Sequence, residues 1–306
     1  MLTLFSTPKP FVGHINVIQR NAIRSWLRLH PDAEIILVGD DAGAAEVCQE
    51  LGIRHINDIK KNKYGTKYVA EIYDRVQEVA RHEILCHVNC DIILMSDFMV
   101  AAQSVLKAHS RFLMAGQRWD VDIRNALDFG ELNWEASLRR VASETNRQRP
   151  KRWIDYFLFR KGLYYKQIPE FVIGRPGWDN WLLWYPISIQ VPVIDASPTV
   201  TAVHQDHDYG YHPEGEKGVW YGEEAKENYR LHAGKFATLD NATHVLSVDG
   251  LKPNYKRWFV QAKRTSVDEF NKTWFALLDA TRPLRHRFGL RKTGSDTGAA
   301  KNASDR

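Results

Sequence analysis

The stretch EILCHVNCDIIL, residues 83–94, decides how the first half of the chain is read. Its first six residues make an apolar run of strand length, and its last three are apolar again. Between the two runs stand Asn89 and Asp91, two residues apart. A carboxylate does not sit inside a buried strand without a partner, because its charge then loses the solvation of water. Asp91 therefore marks the place where the chain leaves the core at the end of a strand.

Upstream of this point, strand-like and helix-like patterns alternate. LTLFS (2–6) is a short apolar run that ends at Thr7 and Pro8. Residues 14–29 carry apolar side chains at helical spacing (Ile15, Ile18, Ala22, Trp26, Leu29), and Pro31 stops them. EIILV (34–38) reads as a buried strand, AAEVCQEL (44–51) as a helix ended by Gly52, and IRHI (53–56) as a short strand. Residues 66–82 read as a helix with Thr66 as N-cap, and 96–109 as a helix capped by Ser96. RFLMAG (111–116) is a further strand. This alternation predicts an α/β fold, a mainly parallel sheet with helices on both faces. In such sheets ligands bind outside the carboxyl ends of the strands. Ser6 and Thr7, Asp40 and Asp41, and Asn89 and Asp91 all fall at such ends.

Beyond residue 115 the pattern turns irregular, with short strands such as DYFLF (155–159) and QVPVI (190–194) among loops rich in Trp, Pro and Gly. Several of the ten tryptophans and twelve tyrosines fall between Trp153 and Tyr221, as core or as a platform for a flat ligand. The domain is expected to run over 1–245, followed by a C-terminal helical extension over 246–290 and a disordered tail over 291–306. A formal charge of +5 in 306 residues, concentrated near the C-terminus, argues against a nucleic-acid footprint. The chain carries no run of the roughly 20 apolar residues that a membrane span needs, and its first residues do not read as a signal peptide. Three cysteines without metal-ligand spacing point to a reducing, cytoplasmic setting.

The turn after the first strand, STPKPFVG (6–13), has no G-x-G-x-x-G, and the chain has no P-loop. If the crevice takes a diphosphate, backbone amides alone do not balance its charge. A divalent metal held by a few carboxylates is the alternative, and Asp91 stands where its ligand is needed.

HVNCDIIL (87–94) resembles the metal-binding D-x-D segment of GT-A fold glycosyltransferases, which transfer a sugar from a nucleotide-diphospho-sugar. Asn89 replaces the first carboxylate of the pattern and Asp91 keeps the second. IGRPGWDNWLLW (173–184) resembles the loop that leads to the catalytic base of inverting members, which places that role on Asp179; the alternative is an N-cap of the helix that follows. VHQDHDYGYH (203–212) falls where the family carries a metal-binding histidine, so His204 and His207 are candidates.

The resemblance covers about residues 1–245 and rests on the order and spacing of these segments. It implies a GT-A-like, Rossmann-type sheet and a cofactor, Mn²⁺ or Mg²⁺, at Asp91 with His204 or His207. It places Ser6, Thr7 and Asp40 or Asp41 at the nucleoside, with Tyr64 of NKYGT (62–66) over the base or ribose. Arg118 and Asp120 of GQRWD (116–120) would meet phosphate or sugar hydroxyls, beside Asn89. The implied reaction is transfer to an acceptor hydroxyl with inversion, Asp179 being the base.

Other readings are a sugar nucleotidyltransferase, a carbohydrate-binding protein without catalysis, and a zinc hydrolase built on the H-x-x-H pair, for which no third ligand is evident. The acceptor is expected to be a carbohydrate or a lipid-linked sugar. Residues 256–292 mix apolar side chains such as Trp258 and Phe288 with basic ones such as Arg285 and Arg287. Either the apolar residues close over the domain, or the segment touches anionic lipid at the inner face of a membrane.

Overall fold

Leu4 and Phe5 are neighbours in the chain, yet they belong to different hydrophobic clusters. Ile35 and Leu37 join the first cluster, and Ile36 and Val38 the second. Successive strand side chains point to opposite faces, so both strands are covered on both sides. The computed structural model, which describes residues 1–208 and 215–257, shows what covers them.

Strand β1 (Thr3–Ser6) is followed by α1 (Gly13–Leu27), β2 (Glu34–Val38), α2 (Ala44–Leu51), β3 (Arg54–Ile56), α3 (Val69–Val79) and β4 (Ile84–Val88). All pairings among these four strands are parallel, in the order β3-β2-β1-β4. Ala22, Ile23 and Trp26 of α1 and Val47 of α2 pack on one face. Val69, Ile72, Tyr73 and Val76 of α3 pack on the other. Gly52 ends α2 in the left-handed region at φ 64°, where a side chain would be strained.

The chain continues through β5 (Ile92–Ile93), α4 (Ser96–Ala108), β6 (Leu113–Ala115), β7 (Arg118–Val121), α5 (Trp134–Thr145), β8 (Tyr156–Arg160) and α6 (Trp178–Ser188). Then come β9 (Val193–Asp195), β10 (Ala202–Gln205), α7 (Gly215–Tyr221), α8 (Glu223–His232), β11 (His244–Ser247) and β12 (Gly250–Pro253). The main sheet has nine strands in the order β12-β11-β9-β6-β8-β4-β1-β2-β3. It is mainly parallel with helices on both faces, as expected. β8 is antiparallel to both β4 and β6, and the β11–β12 hairpin is antiparallel at the edge.

A second sheet of three strands, β5-β10-β7, branches off where β4 ends. Asn89 donates its backbone N–H to Asp155 at 2.9 Å, and Ile92 donates to Asn89 at 3.0 Å, so the chain turns out of the main sheet between them. β10 pairs with β5 through His204 opposite Ile92, and with β7 through His204 opposite Asp120. Ile93, Val121, Val203 and Leu138 of α5 pack beneath it.

Four expectations change. Tyr68, not Thr66, holds the N-cap position of α3, and Met95 that of α4. Ser96 instead donates its hydroxyl to Glu135 at 2.5 Å. Gly177 precedes α6 at φ 101°, so Asp179 lies inside the first turn rather than at the cap. Residues 246–253, expected as the start of a helical extension, complete the β11–β12 hairpin of the main sheet. Met1–Arg257 form one unit. Residues 258–290 of the proposed extension, the tail over 291–306, and all but the first two residues of the basic segment 256–292 lie outside the described residues. Among those described, no helix is long and apolar enough to cross a membrane.

Candidate functional site

The small sheet carries the first part of the site. Because His204 pairs with Asp120 across β10–β7 and with Ile92 across β10–β5, its imidazole lies between Asp120 and Asp91. His204 Nδ1 stands 3.3 Å from Asp120 Oδ1, and His204 Nε2 stands 3.9 Å from Asp91 Oδ2. His207, just past the end of β10, has Nδ1 2.7 Å from the carbonyl of Asp208 and Nε2 3.1 Å from Asp91 Oδ2. The backbone carbonyl can only accept, so Nδ1 carries a proton and the ring is oriented with Nε2 toward Asp91. The ligand atoms of Asp91, His204 and His207 all lie within 4.8 Å of one another.

This donor set fits a divalent metal. His207 turns Nε2 inward and donates from Nδ1 to a carbonyl, the pattern by which histidine ligands are oriented, while His204 has Asp120 beside Nδ1 at 3.3 Å without a hydrogen bond. Asp91 Oδ1 is buried and has no hydrogen-bond partner among the described residues. Burial by itself would push the Asp91 carboxyl up, but Lys9, His204 and His207 override it and hold it well below the usual range. It is a carboxylate at neutral pH. Asp206, with Asp120 and His204, forms an overlapping group.

Behind this triad lies a buried ionic clamp. Arg118 donates through Nε to Asp120 at 3.0 Å and through a terminal nitrogen to Asp155 at 2.7 Å. Asp120 also meets Arg149 Nε at 3.1 Å. The guanidinium of Arg118 lies 5.1 Å from the centre of the Trp153 ring, and that of Arg149 lies 4.2 Å from it. Burial would push the Asp120 carboxyl up, yet contact with His204 and Arg118 holds it down. Asn89 donates its side-chain amide to Asp155 at 2.5 Å. Arg118, Asp120 and Asn89, expected at the substrate, are therefore engaged with one another and with Asp155.

Asp179 presents the opposite electrostatics. Burial pushes its carboxyl up to about 7, the charge of Asp155 adds to this, and backbone N–H groups at the start of α6 pull the other way. The residue is partly exposed, but its Oδ1 is closed off from solvent and has no hydrogen-bond partner among the described residues. Gly177 makes the approach possible, since a Cβ there would lie 3.1 Å from the His232 ring. Arg175, two residues earlier, is tied to Glu224 of α8 at 2.6 Å.

The candidates at the nucleoside end follow β1, β2 and β3. Ser6 Oγ and Thr7 Oγ1 are buried and lack hydrogen-bond partners among the described residues. Asp40 pairs with Lys61 and Asp41 with Lys67, each with a contact of 2.6 Å. Tyr64 is exposed, with Lys63 5.0 Å from the centre of its ring. Beside His207 opens a cavity of about 620 Å³ lined by His14, Ile15, Arg124, Asp206, His207 and Asp208.

Sequence reasoning missed Lys9, Asp155 and Arg149. Lys9 was in view, in a loop read only for its lack of glycines. Asp155 and Arg149 come to the site through pairing with β4 and β7, which nothing local in their own segments announces.

No protein-family model matches the chain, and no curated protein matches it by sequence. Among solved structures it is similar to S. aureus TarS in complex with UDP-GlcNAc, at TM-score 0.41 and 11% identity, over 68% of this chain and 60% of that one. It thus spans less than two thirds of the TarS chain. It is also similar to glucosyl-3-phosphoglycerate synthase from Mycobacterium tuberculosis in complex with Mn²⁺, UDP and glucosyl-3-phosphoglycerate. There the TM-score is 0.45 and the identity 12%, over 77% of this chain and 80% of that one.

Proposed function

We propose that the protein is a metal-dependent glycosyltransferase that moves a sugar from a nucleotide-diphospho-sugar to an acceptor hydroxyl. The observation that carries this reading is the convergence of Asp91 Oδ2, His204 Nε2 and His207 Nε2 at the carboxyl end of β4, near the edge where an α/β sheet binds its ligand. Two imidazoles and one carboxylate suit Mn²⁺ better than Mg²⁺, which prefers an all-oxygen shell. A metal held there would offset charge that develops on the leaving diphosphate. Asp91, His204 and His207 would bind it, with Asp120 and the Asp208 carbonyl orienting the rings. Ser6, Thr7 and the Asp40–Asp41 edge would receive the nucleoside, and Tyr64 would stack on the base.

Asp179 is the proposed base. A carboxyl near pH 7 takes a proton from an attacking hydroxyl and keeps it while the bond forms. Attack by that hydroxyl directly on the anomeric carbon expels the nucleoside diphosphate and inverts the configuration. The cavity beside His207 has room for sugar rings, within the usual size range of ligand pockets. The acceptor is a carbohydrate or a lipid-linked sugar, and the basic, apolar segment 256–292 would bring a cytoplasmic enzyme to the anionic lipid that holds it. Binding to anionic vesicles, absent in a chain ending at Ala280, tests that last element.

The zinc hydrolase reading gains one specific observation. Asp91 supplies the third ligand that H-x-x-H lacked, and His₂-carboxylate is a zinc donor set. One experiment separates the two. Thermal unfolding is followed with a panel of nucleotide-sugars, with and without Mn²⁺, and with Zn²⁺ alone. A rise that needs both one donor and Mn²⁺ is the expected result. A large rise with Zn²⁺ alone, and none with any donor, would favour the hydrolase.

A further inference from the structure

Lys9 lies in the loop after β1, between Pro8 and Pro10. Its Nζ stands 3.4 Å from Asp91 Oδ2 and 2.9 Å from His207 Nε2. These are two of the three atoms that would ligate a metal. The ammonium thus already stands as a cation against both atoms. A divalent ion sits roughly 2.0–2.2 Å from such ligands. An ion at that distance from both atoms would press against an ammonium placed as this one is, positive against positive. The two cations exclude each other.

The backbone that carries Lys9 is fixed. Its N–H donates to Gln19 Oε1 at 2.6 Å, and its carbonyl accepts from Gln19 Nε2 at 2.8 Å. Gln19 is buried in α1, and the flanking prolines restrict the loop further. Any movement of the charge must come from the four-carbon side chain, which is partly exposed. The same loop begins with Ser6 and Thr7 at the ligand edge. An ammonium on a flexible stem is well suited to follow a phosphate.

From this geometry we propose that Lys9 is a tethered cation. It holds the metal position until a nucleoside diphosphate draws it away, and it then becomes a ligand of the diphosphate. The inference rests on the metal site proposed above. It makes metal and donor bind cooperatively, because each favours the state in which the ammonium has left Asp91. Without nucleotide the triad stays neutralised and closed to metal.

The test is Mn²⁺ binding by the full chain, measured by the loss of the free-ion paramagnetic resonance signal, with and without UDP. Wild type, Lys9→Met and Lys9→Arg are compared, and circular dichroism verifies their folding. Without UDP, Lys9→Met should bind Mn²⁺ at least about tenfold more tightly than wild type, while Lys9→Arg stays as weak as wild type. UDP should tighten Mn²⁺ binding strongly in wild type and little in Lys9→Met. Equal affinity of wild type and Lys9→Met without UDP would overturn the role of Lys9 and leave the metal site standing. No Mn²⁺ binding by any of the three, with or without UDP, would overturn the metal reading and this inference with it.

Discussion

Asp91 and Asp179 are two carboxyl groups that the fold treats in opposite ways. Asp91 ends a strand and is surrounded by positive or polarised groups: Lys9, His204 and His207. Asp179 begins a helix and faces burial and a second carboxylate, Asp155. The first is held ionised well below neutrality, and the second is lifted to about 7. Such a split between two acids is how enzymes separate a fixed negative charge from a proton carrier. Asp155 links the regions, since it is held by Asn89 and Arg118 on one side and acts on Asp179 from the other.

The largest expected effect comes from removing the ionised member. Asp91→Ala leaves Lys9 and two imidazoles without their shared carboxylate. Losing a group that merely orients a metal ligand already costs about 10–100-fold in metal affinity, so removing the one carboxylate ligand should weaken Mn²⁺-dependent donor binding by on the order of 100-fold or more. Calorimetric titration of UDP with and without Mn²⁺ would reveal it. Unchanged metal dependence would collapse the distinction between the two carboxylates.

Asp179→Asn should act on the other side of the comparison. Transfer should fall by about 10²–10⁴-fold, the usual worth of a positioned base, while donor affinity stays within a small factor. The wild-type rate should rise with pH through about 7, and that limb should vanish in the variant. A rate profile that kept the limb would remove Asp179 from the proton path.

The same residue makes a prediction about stability. Its folded pKa, about 7, lies above the ordinary value of 3.8. The unfolded chain therefore loses this proton first as pH rises. The contribution to stability is complete below pH 3.8 and declines until pH passes about 7. The difference amounts to at most about 4 kcal/mol. Asp179→Asn carries no charge to bury, so its melting temperature should gain on wild type between pH 5 and pH 8. A gain in the other direction would mean that Asp179 is ionised and well solvated in the fold.

The comparison also separates what the sequence makes legible from what it hides. β1, β2 and β4 could be read locally because their apolar runs are buried on both faces and each helix between them has one apolar side. Asp91, His204 and His207 could be picked out because their segments resemble those of a known family. The clamp of Arg118, Asp120 and Asp155 could not, because it depends on the pairing of β7 with β10 and of β4 with β8. The β11–β12 hairpin was legible in principle. Val248 and Asp249 form its two-residue loop between the paired Ser247 and Gly250, and Gly250 takes φ 100° where the chain enters β12, a place that favours glycine. Thr66 and Ser96 were misread as caps because a hydroxyl before an apolar run suits an N-cap, whereas Tyr68 and Met95 hold those positions and Ser96 is engaged by Glu135.

The smallest effects belong to Asn89, where the chain departs from D-x-D. The departure has a structural reason. Asn89 donates to Asp155 Oδ1 at 2.5 Å, and an aspartate in its place has no proton to give and sets two like charges in contact. Asn89→Asp should therefore lose about 1–3 kcal/mol of stability and bind Mn²⁺ no more tightly than wild type, although it restores the motif. Asn89→Ala removes one hydrogen bond without adding a charge. It should cost about 1 kcal/mol of stability and weaken Mn²⁺ binding only slightly. Denaturant unfolding and Mn²⁺ titration of both variants check this ordering. If Asn89→Asp proved the tighter metal binder and the more stable protein, Asn89 would be a vacant ligand position instead of the brace that keeps Asp155 beside Arg118.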